Sequence, residues 1–317
     1  MWHIRNNIAR FRRNFSIRNE KYKNGIVDLF LETFVKTFLT YLPRPFLYFN
    51  FFNNKKTKVD VNELRQNGYM KLSYLDNDLI DYFINIFLNK SSQIYNSNFQ
   101  NIDQANEYFI KNNIQRSKPI YLDLKDKKYL EFLKNYYISD IATNYLKENP
   151  NKLQITSYIF MLSKINYQNE KKELGLQFPS NINTELEKIK YSVDSKHALH
   201  FHRDIDHYKF IKFFYYLTDC FDGNGQHMYI TKSHKIIKMA TAPYKRYLEE
   251  ELINSYKDSK FLNLIGKKGF GFAEDTFGFH RGTPITNKYR IMMMTQIKPF
   301  GGQSYNFIPL KEIINFN

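Results

Sequence analysis

At 317 residues, with 43% hydrophobic and 17% aromatic side chains, the chain can bury a sizeable core and is too apolar for a disordered protein. Its 47 basic against 31 acidic residues leave a net charge of +16, a balance that suits anionic partners or substrates but that an AT-rich coding bias, visible in the many Phe, Tyr, Asn, Lys and Ile residues, would also produce. One cysteine, Cys220, excludes an internal disulfide, and no secretory signal is visible at the start, so a reducing, cytoplasmic setting is expected.

The first segment, residues 1–58, reads as a helical N-terminal extension. Arg5, Arg10, Arg12, Arg13, Arg18, Lys21 and Lys23 crowd its start against the lone acid Glu20. "GIVDLFLETFVKTFLTYL" (Gly25–Leu42) follows, and Asp28, Glu32 and Lys36 fall four apart on one stripe, which predicts an amphipathic helix and not a membrane span. Pro43 and Pro45 end it. Two fates are open to this segment: packing on the main domain, or peripheral contact with a membrane surface through residues 1–42.

A second region, residues 59–317, has a different pattern. "NELRQNGYMKL" predicts a short helix, a glycine turn and a strand at Tyr69–Leu72, with a further helix opening near Asp76–Asp78. "KKYLEFLKNYYISDIATNYLKENP" predicts helix and "LQITSYIFMLSKINY" a strand. "ELGLQFPSNINTELEKIK" reads as loop and helix. Then come short β-type runs, "KFIKFFYYLTD", "GQHMYITKSHK", "KGFGFAEDTFGFH" and "YRIMMMTQIKPF", separated by turns such as "DGNGQ". Short strands at this spacing predict a mainly β barrel or sandwich with the helices packed outside.

Half of the eight histidines stand in "HALHFHRDIDH", residues 197–207. Within it, His202 and Asp204 are two apart, a spacing that turns both side chains to one face of an extended strand. A second histidine from a distant strand would complete a two-histidine, one-carboxylate triad with open coordination positions, which suits Fe(II) and dioxygen chemistry. His280 ends one β-type run, and Arg290 opens the next, where its planar fork could hold the remote carboxylate of a dicarboxylate. His200, also two residues from His202, is the rival ligand, and Arg281 is the rival to Arg290 but should face the other way. Phe214 and Tyr216 alternate with Tyr215, so they could line the barrel or serve as plain core aromatics. His197, Asp206 and His207 read as polar rim, and His227 and His234 as hydrogen-bonded structural histidines. Cys220 reads as a buried small residue.

Taken in order, "NELRQNGYMKL", "IATNYLKENPNKLQITSYIFMLSK", "HFHRD", "FFYYLTDCFDGNGQHMYITKSHK" and "FHRGTPITNKYR" resemble the phytanoyl-CoA dioxygenase-like branch of the Fe(II)/2-oxoglutarate-dependent oxygenases, over roughly residues 59–300. That resemblance implies a cupin-like double-stranded β-helix, or jelly roll. It implies Fe(II) on His202, Asp204 and His280 as catalytic metal ligands, 2-oxoglutarate as cosubstrate on Arg290, and O2 as oxidant. Phe214 would lie beside the cosubstrate. Thr283 would replace the supporting hydroxyl that the family often has where Gly282 stands. The implied reaction is hydroxylation of a small molecule with release of succinate and CO2; the basic excess points to an anionic, lipid- or glycan-related substrate, and nucleic acid is not an expected partner. Arg203, where the family often has Gln, and Thr231-Lys232-Ser233-His234-Lys235, without the usual Pro and Gly, depart from the pattern. The alternative is a non-catalytic ligand-binding or membrane-associated protein on the same fold.

Overall fold

In "LQITSYIFML" and "RIMMMTQIKP" apolar residues fall in both alternating sets, as a strand covered on both faces requires. In the computed structural model these become β3 (Leu153–Leu162) and β9 (Arg290–Pro299), antiparallel from Leu153 opposite Pro299 to Leu162 opposite Arg290. Described are residues 59–164, 166–167, 182–204, 206–207, 209–235, 246–300 and 306–314. The predicted basic arm and amphipathic helix of residues 1–58 therefore lie outside the described residues, as does the membrane contact expected of residues 1–42. Among the described residues no helix is long and apolar enough to cross a membrane.

The helices are α1 (Asn62–Asn67), α2 (Asn77–Ile94), α3 (Ile102–Lys111), α4 (Lys127–Asn135), α5 (Ile138–Leu146), α6 (Glu185–Lys196) and α7 (Glu249–Ile253). The remaining strands are β1 (Tyr69–Leu72), β2 (Ile120–Tyr121), β4 (Ile211–Tyr216), β5 (His227–Ile230), β6 (Phe261–Leu264), β7 (Gly271–Glu274), β8 (His280–Gly282) and β10 (Ile308–Pro309). The larger sheet runs β1-β7-β4-β9-β3-β10 with β2 added on β3, and the smaller runs β6-β5-β8. After β4 in the large sheet the chain passes to β5 and β6 in the small one, returns as β7, crosses again as β8 and returns as β9. This repeated crossing between two antiparallel sheets is the double-stranded β-helix, with helices flanking it.

Strand alternation divides the core. Ile211, Phe213 and Tyr215 of β4, with Ile155, Ile159, Met293 and Ile297, face the helices and pack on Phe83, Phe87, Phe132 and Tyr145. Phe214, Tyr216, Phe160, Phe272, Met292 and Met294 face the space between the sheets. The outer helices expose one stripe and bury another: in α2, Leu79, Ile80, Phe83 and Phe87 are buried, and the Asp76 carboxylate caps its start by accepting from the Leu79 N–H at 2.9 Å. The single helical run expected over 127–150 divides in two, because Tyr137 adopts φ 54° between α4 and α5. β2, β6 and β10, none longer than four residues, had no sequence counterpart.

Gly68 ends α1 at φ 77°, donates to the Leu64 carbonyl and accepts from the Asp275 N–H, so it ties α1 to the turn after β7. A Cβ there would collide with the Tyr229 hydroxyl and the His234 ring. Gly68→Ala should cost about 2 kcal/mol or more, the left-handed penalty plus the displaced ring, measured by urea unfolding.

Candidate metal centre

The sequence predicts His202 and Asp204 on a regular strand. In the structure His202 forms an isolated bridge with His280, exchanging both backbone hydrogen bonds at 3.0 and 3.1 Å, and the Asp204 N–H donates to the Thr276 carbonyl at 2.9 Å. The alternation survives because the chain segment 276–280 holds both residues. The two imidazoles and the carboxylate each offer a ligand atom, and these lie within 4.8 Å of one another. His202 Nε2 is 3.7 Å from Asp204 Oδ1, and His280 Nε2 is 3.3 Å from Asp204 Oδ2.

The donor set fits a transition-metal ion. His202 Nδ1 lies 3.0 Å from its own strand's His200 carbonyl, and His280 Nδ1 lies 3.0 Å from the Gly278 carbonyl. A carbonyl can only accept, so each Nδ1 carries a proton, which leaves each Nε2 as the ring atom turned to the cluster and able to ligate an ion once unprotonated. Burial, reinforced by the His280 charge, holds the His202 ring well below its usual pKa and thus neutral. Burial works against a charge on His280 too, but the Asp204 carboxylate outweighs it and raises that ring. Burial would push the Asp204 carboxyl up, yet Lys212 and His280 hold it well below the usual carboxylate range, so it is ionised.

Two neighbours of the cluster were not among the sequence candidates. Lys212 donates to Asp204 Oδ2 at 2.7 Å and pairs with Asp206 Oδ2 at 2.8 Å. Glu274 is fully buried, with Oε2 2.9 Å from His227 Nε2. The His227 ring in turn lies parallel to His280, with centroids 5.5 Å apart, so His227 stands closer to the centre than a remote structural role implies. A signal existed: in "IKFFYY" and "GFAE" a charged residue shares the inward-facing set with Phe214, Tyr216 or Phe272. Desolvation raises the Glu274 carboxyl from 4.5 to about 8.

Arg290 is 2% exposed, and its guanidinium donates through Nη1 to the Gly225 carbonyl. Its Nε has no hydrogen-bond partner, and among the described residues no carboxylate pairs with it. Nearby, the Thr283 N–H donates to the Gln226 carbonyl, while Thr283 Oγ1 and Gln226 Oε1 are buried without partners. Phe214 forms the adjoining wall, stacked on Phe272 at 5.2 Å and tilted over His227 at 5.2 Å. Two buried polar atoms without partners and a wall of rings thus stand by Arg290, and His227 links that wall to His280 of the cluster.

The other candidates find different places. His200 stacks on Tyr191 at 4.4 Å and is not in the cluster. Arg281 faces away, bound to Glu249 at 2.6 Å and lying over Phe201. His207 Nδ1 contacts the Lys209 carbonyl, and His234 Nε2 the Arg65 carbonyl. Cys220 is buried. Arg203 is not a cation beside the cluster: it points to the outer side of the small sheet, donates to the Ser233 and Phe277 carbonyls and the Tyr256 hydroxyl, and lies over Phe279.

No protein-family model matches the chain, and no curated protein does. Solved structures do resemble it. One is EctD from S. alaskensis with 2-oxoglutarate and 5-hydroxyectoine, at TM-score 0.49 and 13% identity, covering 82% of this chain and 81% of that one. Another is AviO1 from Streptomyces viridochromogenes Tue57, at TM-score 0.45 and 9% identity, covering 80% and 99%. A third is HygX from Streptomyces hygroscopicus with nickel and 2-oxoglutarate bound, at TM-score 0.43 and 12% identity, covering 77% and 88%.

Two outcomes are expected. Arg203→Ala leaves two carbonyls and a hydroxyl without their buried donor and should lower the unfolding free energy by about 3 kcal/mol in urea titration. A carboxyl raised from 4.5 to about 8 favours the folded state below pH 4.5 and opposes it increasingly as pH rises to about 8. Glu274→Gln removes that penalty. In chelator-treated protein the variant should therefore gain about 1–3 kcal/mol over wild type at pH 8.5, with the gain vanishing near pH 4.5.

Proposed function

We propose that the chain is an Fe(II)- and 2-oxoglutarate-dependent oxygenase that hydroxylates a small molecule. The observation that carries this reading is the cluster of His202 Nε2, Asp204 and His280 Nε2, imidazole and carboxylate donors within 4.8 Å, with a buried guanidinium that has no carboxylate partner among the described residues. His202, Asp204 and His280 would hold Fe(II). Bound there with 2-oxoglutarate, the ion supplies dioxygen activation coupled to loss of CO2 and formation of succinate.

The chain's own residues do the remaining work. Arg290 gains the anionic partner its buried fork lacks by pairing with the remote carboxylate of 2-oxoglutarate. The Thr283 hydroxyl, buried without a partner, can donate to the same group, which resolves a further unpartnered atom. Phe214, Phe272, Met292 and Met294 exclude water from the chamber and shield a reactive oxidant from quenching. An intact Asp204 leaves no ligand position for a halide, which favours hydroxylation over halogenation. An anionic, lipid- or glycan-related small molecule is the substrate class we favour, with the reaction placed in the cytoplasm.

Anaerobic addition of Fe(II) and 2-oxoglutarate should produce a visible metal-to-ligand absorption band that needs both components. His202→Ala should abolish it. Arg290→Ala should keep Fe(II) binding while weakening 2-oxoglutarate at least about tenfold, because a charge-assisted bidentate pair is lost. Properly metallated wild type with no band would overturn the oxygenase reading in favour of a ligand-binding role.

A further inference from the structure

Lys212 belongs to a strand, β4, whose other five residues are hydrophobic and buried. Its side chain is 10% exposed, and its ammonium sits between two carboxylates, 2.7 Å from Asp204 Oδ2 and 2.8 Å from Asp206 Oδ2. The Gln296 amide also donates to Asp206 Oδ2, at 3.2 Å, so Asp206 is held as well. This is an ordered chain of contacts that ends on a metal ligand. Burying a lysine carries a large desolvation cost, and neither the jelly roll nor the triad requires one at this position.

A carboxylate can ligate an ion through one oxygen or through both. Two imidazoles and one oxygen leave three of six octahedral positions open, whereas a second carboxylate oxygen fills one of them. With the ammonium on Oδ2, that oxygen is already engaged as a hydrogen-bond acceptor. We propose that Lys212 is a positioning residue that confines Asp204 to one-oxygen ligation, at a cost in metal affinity, and that Asp206 anchors the lysine and balances its charge. The proposal rests on the metal reading above and adds to it a reason why the third position stays open.

The sign of the effect follows from charge. Partners that orient a ligand are worth about 10- to 100-fold in affinity, and losing Lys212 forfeits that. Against it stands the repulsion between the ammonium and a dication a few ångströms away, which at an effective dielectric of about 20 is the larger effect. Lys212→Met should therefore bind a divalent ion more tightly. Asp206→Asn should do the reverse, since it leaves the ammonium unbalanced beside the same ligand.

The test uses the full chain, stripped of metal and titrated with Co(II), whose visible absorption reports coordination. Lys212→Met should bind Co(II) at least about tenfold more tightly than wild type, with an altered absorption band. Asp206→Asn, at a side chain 42% exposed and therefore tolerant of replacement, should bind Co(II) about tenfold more weakly. Wild type that binds Co(II), together with a Lys212→Met affinity that is unchanged or weaker, would overturn the role of Lys212 alone. If Lys212→Met fails to fold, an Asp206→Asn affinity equal to or above wild type overturns it instead. Wild type that takes no Co(II) would overturn the metal reading and this role with it.

Discussion

The site depends on one pair of backbone hydrogen bonds, those exchanged between His202 and His280. Residues that exchange both bonds in an antiparallel pair stand directly opposite, with their side chains on the same face. That places two imidazoles from distant parts of the chain side by side, with ring centroids 4.2 Å apart. Asp204, two residues on, is held by the Thr276 carbonyl four residues before His280, so the same returning segment aligns all three donors. Moving either histidine by one residue in this register would turn its ring to the opposite face and dismantle the cluster.

The barrel around this pair is built in two chemical layers. Toward the start of β9, rings and methionines enclose Arg290, whose charge finds no carboxylate among the described residues. On the inner face of the large sheet nearer its other end, Lys212, Glu274 and Gln296 replace apolar side chains. Each of these polar groups has a specific partner: Asp204 and Asp206 for Lys212, His227 for Glu274, Asp206 for Gln296. A buried charge that is paired and hydrogen-bonded can be retained, and one that is not invites a ligand. The contrast between Lys212 and Arg290 follows from that rule.

Much of the architecture was legible in the sequence because strands covered on both faces and helices with one apolar stripe each leave a distinct pattern. "LQITSYIFML" and "RIMMMTQIKP" read as strands on pattern alone, and Asp76 marks the start of α2 as a capping residue should. The division of the 127–150 helix was not legible, because nothing in "NYYIS" announces a left-handed tyrosine. Nor was β6, four residues long with no strict alternation, since its strand character comes from pairing with β5.

The His202/Asp204 spacing, His280 and Arg290 are local facts of the sequence, and so was the pairing of chemistry they suggest. The direction of Arg203, the exclusion of His200 and the seats of Lys212, Glu274 and His227 were decided only by the fold. Which of two neighbouring side chains faces the cavity depends on partners contributed by segments far away in the chain: Ser233, Tyr256 and Phe279 draw Arg203 outward, and Tyr191 draws His200 aside. Sequence determines which residue types are available at each position. Long-range packing and hydrogen bonding decide which of them meet.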